Sequence, residues 1–263
     1  MPSKWQREEF FAGSPTAQTF TVPAGVSIVY LTMVGGGGGG GRATGAGPAI
    51  GGGGGGAGEC CIRMPLKVTP ADSISVEVGD MGLGSTRAAG ASTNSTDGGS
   101  SIFGSVHCAG GFGGGNTGGN QPGASGGGAG RALGVLGGDG VIGTRAGGSV
   151  FVGGASGGGY TNTTVGSRAG GPAAGVAGTS AGTNDGTRSA GGSGASSQWG
   201  VGGVGGDGGV LPTDSNGRAA DTTHYGAGGG GAGGYGSSPI PDDQCDGGNG
   251  APGYILVEWF AEV

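Results

Sequence analysis

Apolar and β-branched residues are concentrated in short stretches near the two ends of this chain, and glycine fills most of what lies between them. The stretch 26–34 (VSIVYLTMV) has the pattern of a β-strand, in which alternate side chains point to opposite faces. Val29, Leu31 and Met33 would share one face, and the other face is also largely apolar. The pattern therefore predicts a strand that is covered on both faces.

Several other stretches have strand character and are bounded by Gly, Pro or Asp turn signals. They are 17–22, 59–68, 73–78, 102–109 and 254–260. In the 59–68 stretch, Pro65 lacks a backbone donor and indicates a sheet edge or a bulge. We expect the N-terminal and C-terminal strands to pair in one antiparallel sheet or sandwich. Ile255, Val257 and Trp259 should face the core from the last strand.

The predicted strand at 26–34 runs directly into seven consecutive glycines, 35–41, and 51–56 is a second glycine run. An α-helix is disfavoured there because each glycine costs about 1 kcal/mol relative to alanine. An ordered glycine run can instead form an extended helix of three residues per turn, whose backbone groups point outwards to neighbouring chains. The runs therefore predict a packed array of such helices, held mainly by backbone hydrogen bonds.

Composition restricts the remaining fold classes. Glycine supplies 79 of 263 residues, but the 12 prolines and irregular glycine spacing exclude collagen. Such a composition is also typical of disorder, yet the chain ends are not of low complexity. We predict a mainly β fold plus polyglycine-II helices, with almost no α-helix. A small antiparallel sheet or sandwich, formed by the N- and C-terminal strands, should enclose the array.

We expect a single glycine-rich domain over residues 1–263. Its parts would be a possible attachment segment (1–13), a β framework with glycine runs (14–109), a polyglycine-II body (110–250) and a closing strand (251–263).

Charge and chemistry exclude several function classes. The net charge of −6 makes nucleic acid an improbable partner, and no apolar stretch is long enough for membrane insertion. The N-terminal residues lack the apolar core of a secretion signal, so synthesis in the cytoplasm is expected. The four cysteines lack zinc-site spacing, and we interpret them as small buried residues.

The enzyme motifs that occur in the sequence lack the flanking strand and helix that they require. G-x-S-x-G occurs at 123–127 and 154–158, but neither match sits between a strand and a helix, and such matches arise by chance in glycine-rich sequence. With two histidines and no regular aspartate repeat, we predict no enzyme, no cofactor and no metal site.

Three stretches together carry a family resemblance. FTVPAGVSIVYLTMVGGGGGG, VTPADSISVEVGDMG and GGNGAPGYILVEW resemble the glycine-rich domain of bacteriophage tail-fibre and other virion proteins. The polyglycine-II adhesins of T-even-like phages are a more distant likeness. The resemblance implies a virion protein of the tail fibre or tail tip, a layered polyglycine-II sandwich, and tip loops that bind the host. The chain itself differs from those adhesins, since we expect it to have no separate N-terminal attachment domain. Its position on a virion therefore stays open.

We therefore expect an adhesin that binds a host receptor, either an outer-membrane protein or a glycan. Other virion proteins would be further partners, and a homo-oligomer such as a trimer is expected. A glycine array offers few side chains, so polar and aromatic interruptions are the candidate receptor-binding residues. These are Tyr160, Thr161, Asn162, Gln198, Trp199, Asn216, Arg218, His224 and Tyr225. The alternative for the aromatic members is that they anchor loops to the array.

A dense aromatic group lies near the N-terminus and consists of Trp5, Phe10 and Phe11. We predict that these residues attach the protein to the virion, and the alternative is that they pack in the core. Two other functions stay open. One is a non-adhesive structural virion protein, such as a capsid or baseplate decoration. The other is an ice-binding protein, although the ragged spacing lacks a regular flat face.

Overall fold

A computed structural model describes most of the first 115 residues and the C-terminal strand, with shorter stretches between them. The described residues are 3–13, 17–42, 52–88, 91–115, 151–152, 188–189, 191, 194–197, 199, 219–220, 224–232, 234–235 and 246–262.

Within them the fold is mainly β and contains no helix. The strands are β1 (Ser3–Phe11), β2 (Ala17–Thr21), β3 (Ile28–Val34), β4 (Cys60–Lys67), β5 (Ser73–Glu77), β6 (Arg87–Ala88), β7 (Ala91–Ser92), β8 (Ser101–Phe103), β9 (Val106–Cys108), β10 (Phe151–Val152), β11 (Arg188–Ser189), β12 (Gly234–Tyr235) and β13 (Tyr254–Glu262).

The two ends of the chain pair in one antiparallel sheet, as the sequence predicts. Its strand order is β1-β13-β3-β4-β10, so the last long strand lies between the first strand and the strand that precedes the glycine run. In the register of β13 against β3, Ile255 lies opposite Met33 and Val257 opposite Leu31. All four side chains are fully buried.

A second antiparallel sheet, with the order β2-β5-β8-β9, covers the inner face of the first. Phe20 of β2 fills the space between them, with its ring 5.7 Å from Phe103 and 5.5 Å from Trp259. Val29 and Val76 complete the same buried cluster from opposite sheets. Burial of such apolar side chains is the main source of stability in a two-layer fold.

Two local features differ from the sequence-based expectation. The stretch at 102–109 is a hairpin, not one strand, because Gly104 turns the chain with a φ of 56°. The stretch 3–11 was predicted only as an aromatic segment, yet it forms the nine-residue strand β1. The apolar and polar residues of this stretch alternate only weakly, so its sequence alone does not predict a strand. It is a strand because it pairs with β13 over its whole length.

Pro65 lies on a part of β4 that has β3 on one side and no described strand on the other. The last strand of the sheet, β10, pairs only with Cys60 and Cys61. The sheet edge predicted there is therefore present. A register shift lies beside it, between Leu31 and Met33 of β3. Arg63, on the facing strand, has a φ of 47°.

Glycine-rich segments continue from these strands and form one packed group, which we call the glycine array. Six segments each adjoin a strand directly, and a seventh, 226–232, packs among them. The six are 35–41 after β3, 52–59 before β4, 78–86 after β5, 93–100 before β8, 109–115 after β9 and 246–253 before β13. The two sheets therefore stand at one end of the array. Polyglycine-II helices across 110–250 stay a prediction, since most of that range lies outside the described residues.

Candidate functional site

Residues 35–41 run through the middle of the array, and each of their seven backbone amides donates a hydrogen bond to another segment. Every third amide reaches the same neighbour. Those of Gly35, Gly38 and Gly41 bond to segment 52–59, with N to O distances of 2.8–2.9 Å. The partner numbers fall as the donor numbers rise, so the two segments run in opposite directions.

The remaining amides follow the same period of three. Gly36 and Gly39 donate to segment 93–100 at 2.9 and 3.0 Å, and Gly37 and Gly40 donate to segment 246–253 at 2.8 Å. A repeat of three residues is the one expected for an extended glycine helix. The central segment thus donates to three neighbours, each antiparallel to it.

The carbonyls of the central segment bond to three further neighbours. They accept amides of 109–115, 78–86 and 226–232, again at every third residue and at 2.7–2.9 Å. These three neighbours run parallel to the central segment, because donor and acceptor numbers rise together. Six segments therefore surround 35–41 and use its backbone groups, which leaves little of that backbone for an external ligand.

The close packing explains why the central segment is glycine throughout. A Cβ added at any position from 35 to 41 would meet a backbone carbonyl oxygen within 1.9–2.2 Å. Real Cβ atoms do not approach backbone so closely, so the neighbouring segment would have to move. Other segments admit a methyl group at particular positions: Ala57 and Ala195 are both fully buried and pack together.

The array has two distinct ends, which we call the sheet end and the far end. At the sheet end, Gly35 follows β3 and lies beside Gly58. At the far end, Gly41 packs against Gly52 and Gly115. Residues 41, 115 and 232 lie at the far end, as do residues 52, 191 and 247. Chain connections at both ends are the places where side chains can be presented.

Among the predicted receptor-binding residues, the structure describes Trp199, His224 and Tyr225, and all three belong to the sheet end. Tyr225 directly precedes Gly226, whose amide bonds to the Pro252 carbonyl at 2.8 Å. Ser197 links two of them, since its hydroxyl donates to the Tyr225 carbonyl and accepts the Trp199 amide at 3.1 Å. His224 is exposed. The other predicted residues lie outside the described part of the chain: Tyr160, Thr161, Asn162, Gln198, Asn216 and Arg218.

Tyr225 is held in a group of three aromatic rings. Its ring stacks on Tyr254 with centroids 4.5 Å apart and an angle of 11° between planes, and Phe11 lies 6.1 Å away. The pKa of Tyr254 is raised to about 12. Partial burial of the phenol is the larger cause, and the negative charge of the nearby Glu9 carboxylate is the second. These contacts pack the Tyr225 ring against β1 and β13.

The predicted attachment residues separate onto two faces of β1. Phe10 is only 4% exposed and lies in the core, as the core-packing alternative expected, whereas Trp5 and Phe11 are each 47% exposed. Trp5 lies edge-on to Phe260 with ring centroids 5.6 Å apart. The Arg63 guanidinium lies over the Trp5 ring at 5.0 Å. The outer face of the five-stranded sheet therefore exposes aromatic surface.

Arg63 was not singled out from the sequence, although it organises this outer face. Its side chain also forms an ion pair with Glu258 at 3.3 Å, and its amide bonds to the Thr32 hydroxyl at 3.1 Å. Its only sequence signal is a charged residue inside an otherwise apolar strand. A left-handed backbone conformation at a non-glycine residue cannot be recognised without the tertiary structure.

Isolated polar side chains inside glycine-rich sequence also bind array backbone. The buried Ser101 hydroxyl accepts the Gly79 amide at 3.0 Å and donates to the Val34 carbonyl at 2.7 Å. The Asn249 side-chain oxygen accepts the Gly84 amide at 2.8 Å. These residues serve the array, because a buried backbone group without a partner would be destabilising.

The described cysteines include one buried pair across the two sheets. The Cys61 and Cys108 thiols reach the Leu31 and Met33 carbonyls of β3, at 3.9 Å each. A hydrogen bond between the two side chains lowers the pKa of Cys61 and raises that of Cys108. Both residues have no solvent exposure, so a substrate cannot reach them in this conformation.

Within the described residues, no group of three or more His, Cys, Asp or Glu side chains is arranged to hold a metal ion. None of these residues forms a helix with the length and hydropathy of a membrane span.

A family model described as a glycine-rich domain matches residues 13–260, which is nearly the whole chain, and the chain belongs to that family. No curated protein matches the sequence.

Proposed function

We propose that this protein is a bacteriophage tail-fibre or tail-tip adhesin. It binds a host surface receptor, an outer-membrane protein or a glycan, through loops that the glycine array supports. It acts by binding alone. The resemblance of the three framework stretches to phage tail-fibre and virion domains supplies the virion assignment, and membership of the glycine-rich domain family is compatible with it.

The observation that carries the proposal is the internal use of the central backbone. All seven amides of 35–41 bind neighbouring segments, and no position there has room for a side chain. The array is therefore a rigid support, and recognition is left to the connections at its ends. Rigid scaffolds with variable loops are a common arrangement for binding proteins.

The far end is the better candidate for the host-facing tip. The opposite end carries the five-stranded and the four-stranded sheet, and the outer face of the five-stranded sheet exposes Trp5, Phe11 and Phe260 and is suited to packing against other virion proteins. Residues 42–51 and 233–246 join described segments at the far end. Trp199, His224 and Tyr225 belong to the sheet end, so a receptor role for them requires access from that side.

A binding experiment on bacterial cells separates these possibilities. Fluorescently labelled wild-type protein is expected to bind cells of a susceptible strain and to block phage adsorption. The first variant replaces residues 43–50 with a Gly-Ser linker of equal length. The second combines Tyr160→Ala, Trp199→Ala and Tyr225→Ala. A Lys67→Glu variant, changed on the exposed part of β4, is the matched control, and equal thermal midpoints verify folding.

The outcomes are distinct. Loss of binding in the linker variant alone places the receptor site at the far end. Loss in the triple variant alone supports the three aromatic residues. Wild-type protein that neither binds cells nor competes with phage contradicts the adhesin function. The exposed aromatic outer face then favours the second candidate, a non-adhesive structural virion protein.

A further inference from the structure

β1 is an edge strand that offers a long backbone edge for pairing. Among the described residues its one strand neighbour is β13, with which it pairs from Ser3 to Phe11. The opposite edge is formed by the two residues of β10 and by residues 62–67 of β4, where Pro65 has no backbone amide to donate. At one end of β1, the Gln18 side chain bonds to the Phe11 carbonyl at 3.1 Å. Backbone donors and acceptors on the free side of an edge strand can bind another strand.

Charged residues on an edge strand ordinarily discourage pairing with other chains. The charges of β1 are different in that they form a self-complementary pattern around Gln6. In an antiparallel pair of two β1 strands centred on that residue, Lys4 of each chain lies opposite Glu8 of the other. Opposite charges at directly facing positions stabilise a strand pair, and like charges destabilise it.

The other face of the strand matches in the same register. Trp5 of one copy would lie opposite Arg7 of the second copy. Arg7 is 72% exposed in its present ion pair with Glu9, so it is free to move, and it already lies across from Glu258 on β13. Arg63 shows that this surface accepts the arrangement, since it pairs with Glu258 while lying over Trp5.

We propose that two copies of this chain associate through their β1 strands, in antiparallel register about Gln6, to form a two-fold symmetric dimer with one continuous sheet. A two-fold axis at Gln6 brings identical side chains together, and two amide side chains can bond to each other because each has a donor and an acceptor. The proposal does not depend on receptor binding, since β1 belongs to the sheets and not to the far-end loops.

Charge exchange tests the register directly. In the Lys4→Glu variant, both copies present two acidic residues at the facing positions, and in Glu8→Lys both present two basic ones. Each single variant should dimerise at least roughly tenfold more weakly than wild type, because two like-charge pairs replace two opposite-charge pairs. Mixing the two single variants should restore a dimer that contains one copy of each. The Lys4→Glu/Glu8→Lys double variant should also recover self-association.

Sedimentation velocity over a range of protein concentrations at low salt measures these states in the full chain. Lys67→Glu and Glu77→Lys, at exposed positions on β4 and β5, make the same charge changes elsewhere and should leave the dimer intact. The proposal is overturned by a monomeric or trimeric wild type. It is equally overturned by a dimer that both single variants leave unchanged, or by single variants that fail to combine on mixing.

Discussion

A Cβ placed on Gly38 would stand 2.0 Å from the carbonyl oxygen of Phe112, a residue of a parallel neighbour in the array. The obstacle is backbone and not a flexible side chain, so it cannot rotate away. Gly38 also bonds through its amide to Gly56 and through its carbonyl to Gly229. Moving the segment to admit one methyl group would therefore disturb several hydrogen bonds at once.

Gly38→Ala should consequently lower the free energy of unfolding by about 3 kcal/mol or more, at the upper end of the cost of overpacking a core. Urea denaturation followed by circular dichroism measures the change. Ala57→Gly is the matched comparison, because it removes a methyl group from a buried position of a neighbouring segment that already holds one. We expect it to cost only about 1 kcal/mol, from the lost burial of one methyl group. Equal losses in the two variants would contradict the packing described for the central segment.

The end strand β13 offers a comparison between adjacent residues on opposite faces. Trp259 packs against the core beside Phe20, while Phe260 is 48% exposed. Trp259→Ala should cost about 3 kcal/mol by leaving a cavity. Phe260→Ala should cost less than half of that, measured by the same denaturation experiment. A larger loss at Phe260 would mean that the outer face is covered in solution.

Tyr225 can be tested as an anchor independently of any receptor. Tyr225→Ala removes the stack on Tyr254 and should destabilise the fold by about 1 kcal/mol beyond the lost buried area. Tyr225→Phe keeps the ring and should retain most of the stability. If thermal midpoints are unchanged in both variants while cell binding is lost in both, the residue serves recognition and not anchoring.

Alkaline pH should weaken the fold through Tyr254. Its pKa is raised from 10.0 to about 12, chiefly by burial, so the native state favours the protonated phenol. That contribution to stability is fully present below pH 10 and is lost as the pH rises from 10 towards 12. Unfolding midpoints of wild type and Tyr254→Phe across this range should differ in slope, with the steeper fall in wild type. Parallel curves would show that Tyr254 titrates normally.

The sequence predicted the framework well where a strand has a strong apolar pattern. β3 and β13 were recognised, with Ile255 on the correct inner face, because alternation of large apolar residues indicates burial directly. The expectation that β3 is covered on both faces was wrong at its start, where Ile28 is 43% exposed while Val29 is buried. β1 was missed as a strand, since its charged residues carry no such alternation. Its strand state depends on pairing with β13, which is a property of the whole fold.

The candidate site was less predictable for a related reason. Loops that interrupt the glycine body could be recognised by composition, but composition does not say at which end of the array each loop emerges. Trp199 and Tyr225 lie at the sheet end because Ser197 and Gly226 bond there. Nor could spacing show that Trp5, Tyr30 and Arg63 meet on one outer face, since they come from three strands.

The period of three in the array restricts how such a chain can change its length. Deleting one residue from 35–41 would move each later residue into the place of the one before it, so that its amide meets the next neighbour in turn. Deletion or insertion of three residues returns each amide to its own neighbour. Within a run of identical glycines the two cases differ little, but a segment with a buried methyl group, such as that of Ala57, keeps the direction of that group only when its length changes by three. Length changes in segments that carry a buried side chain should therefore come in multiples of three.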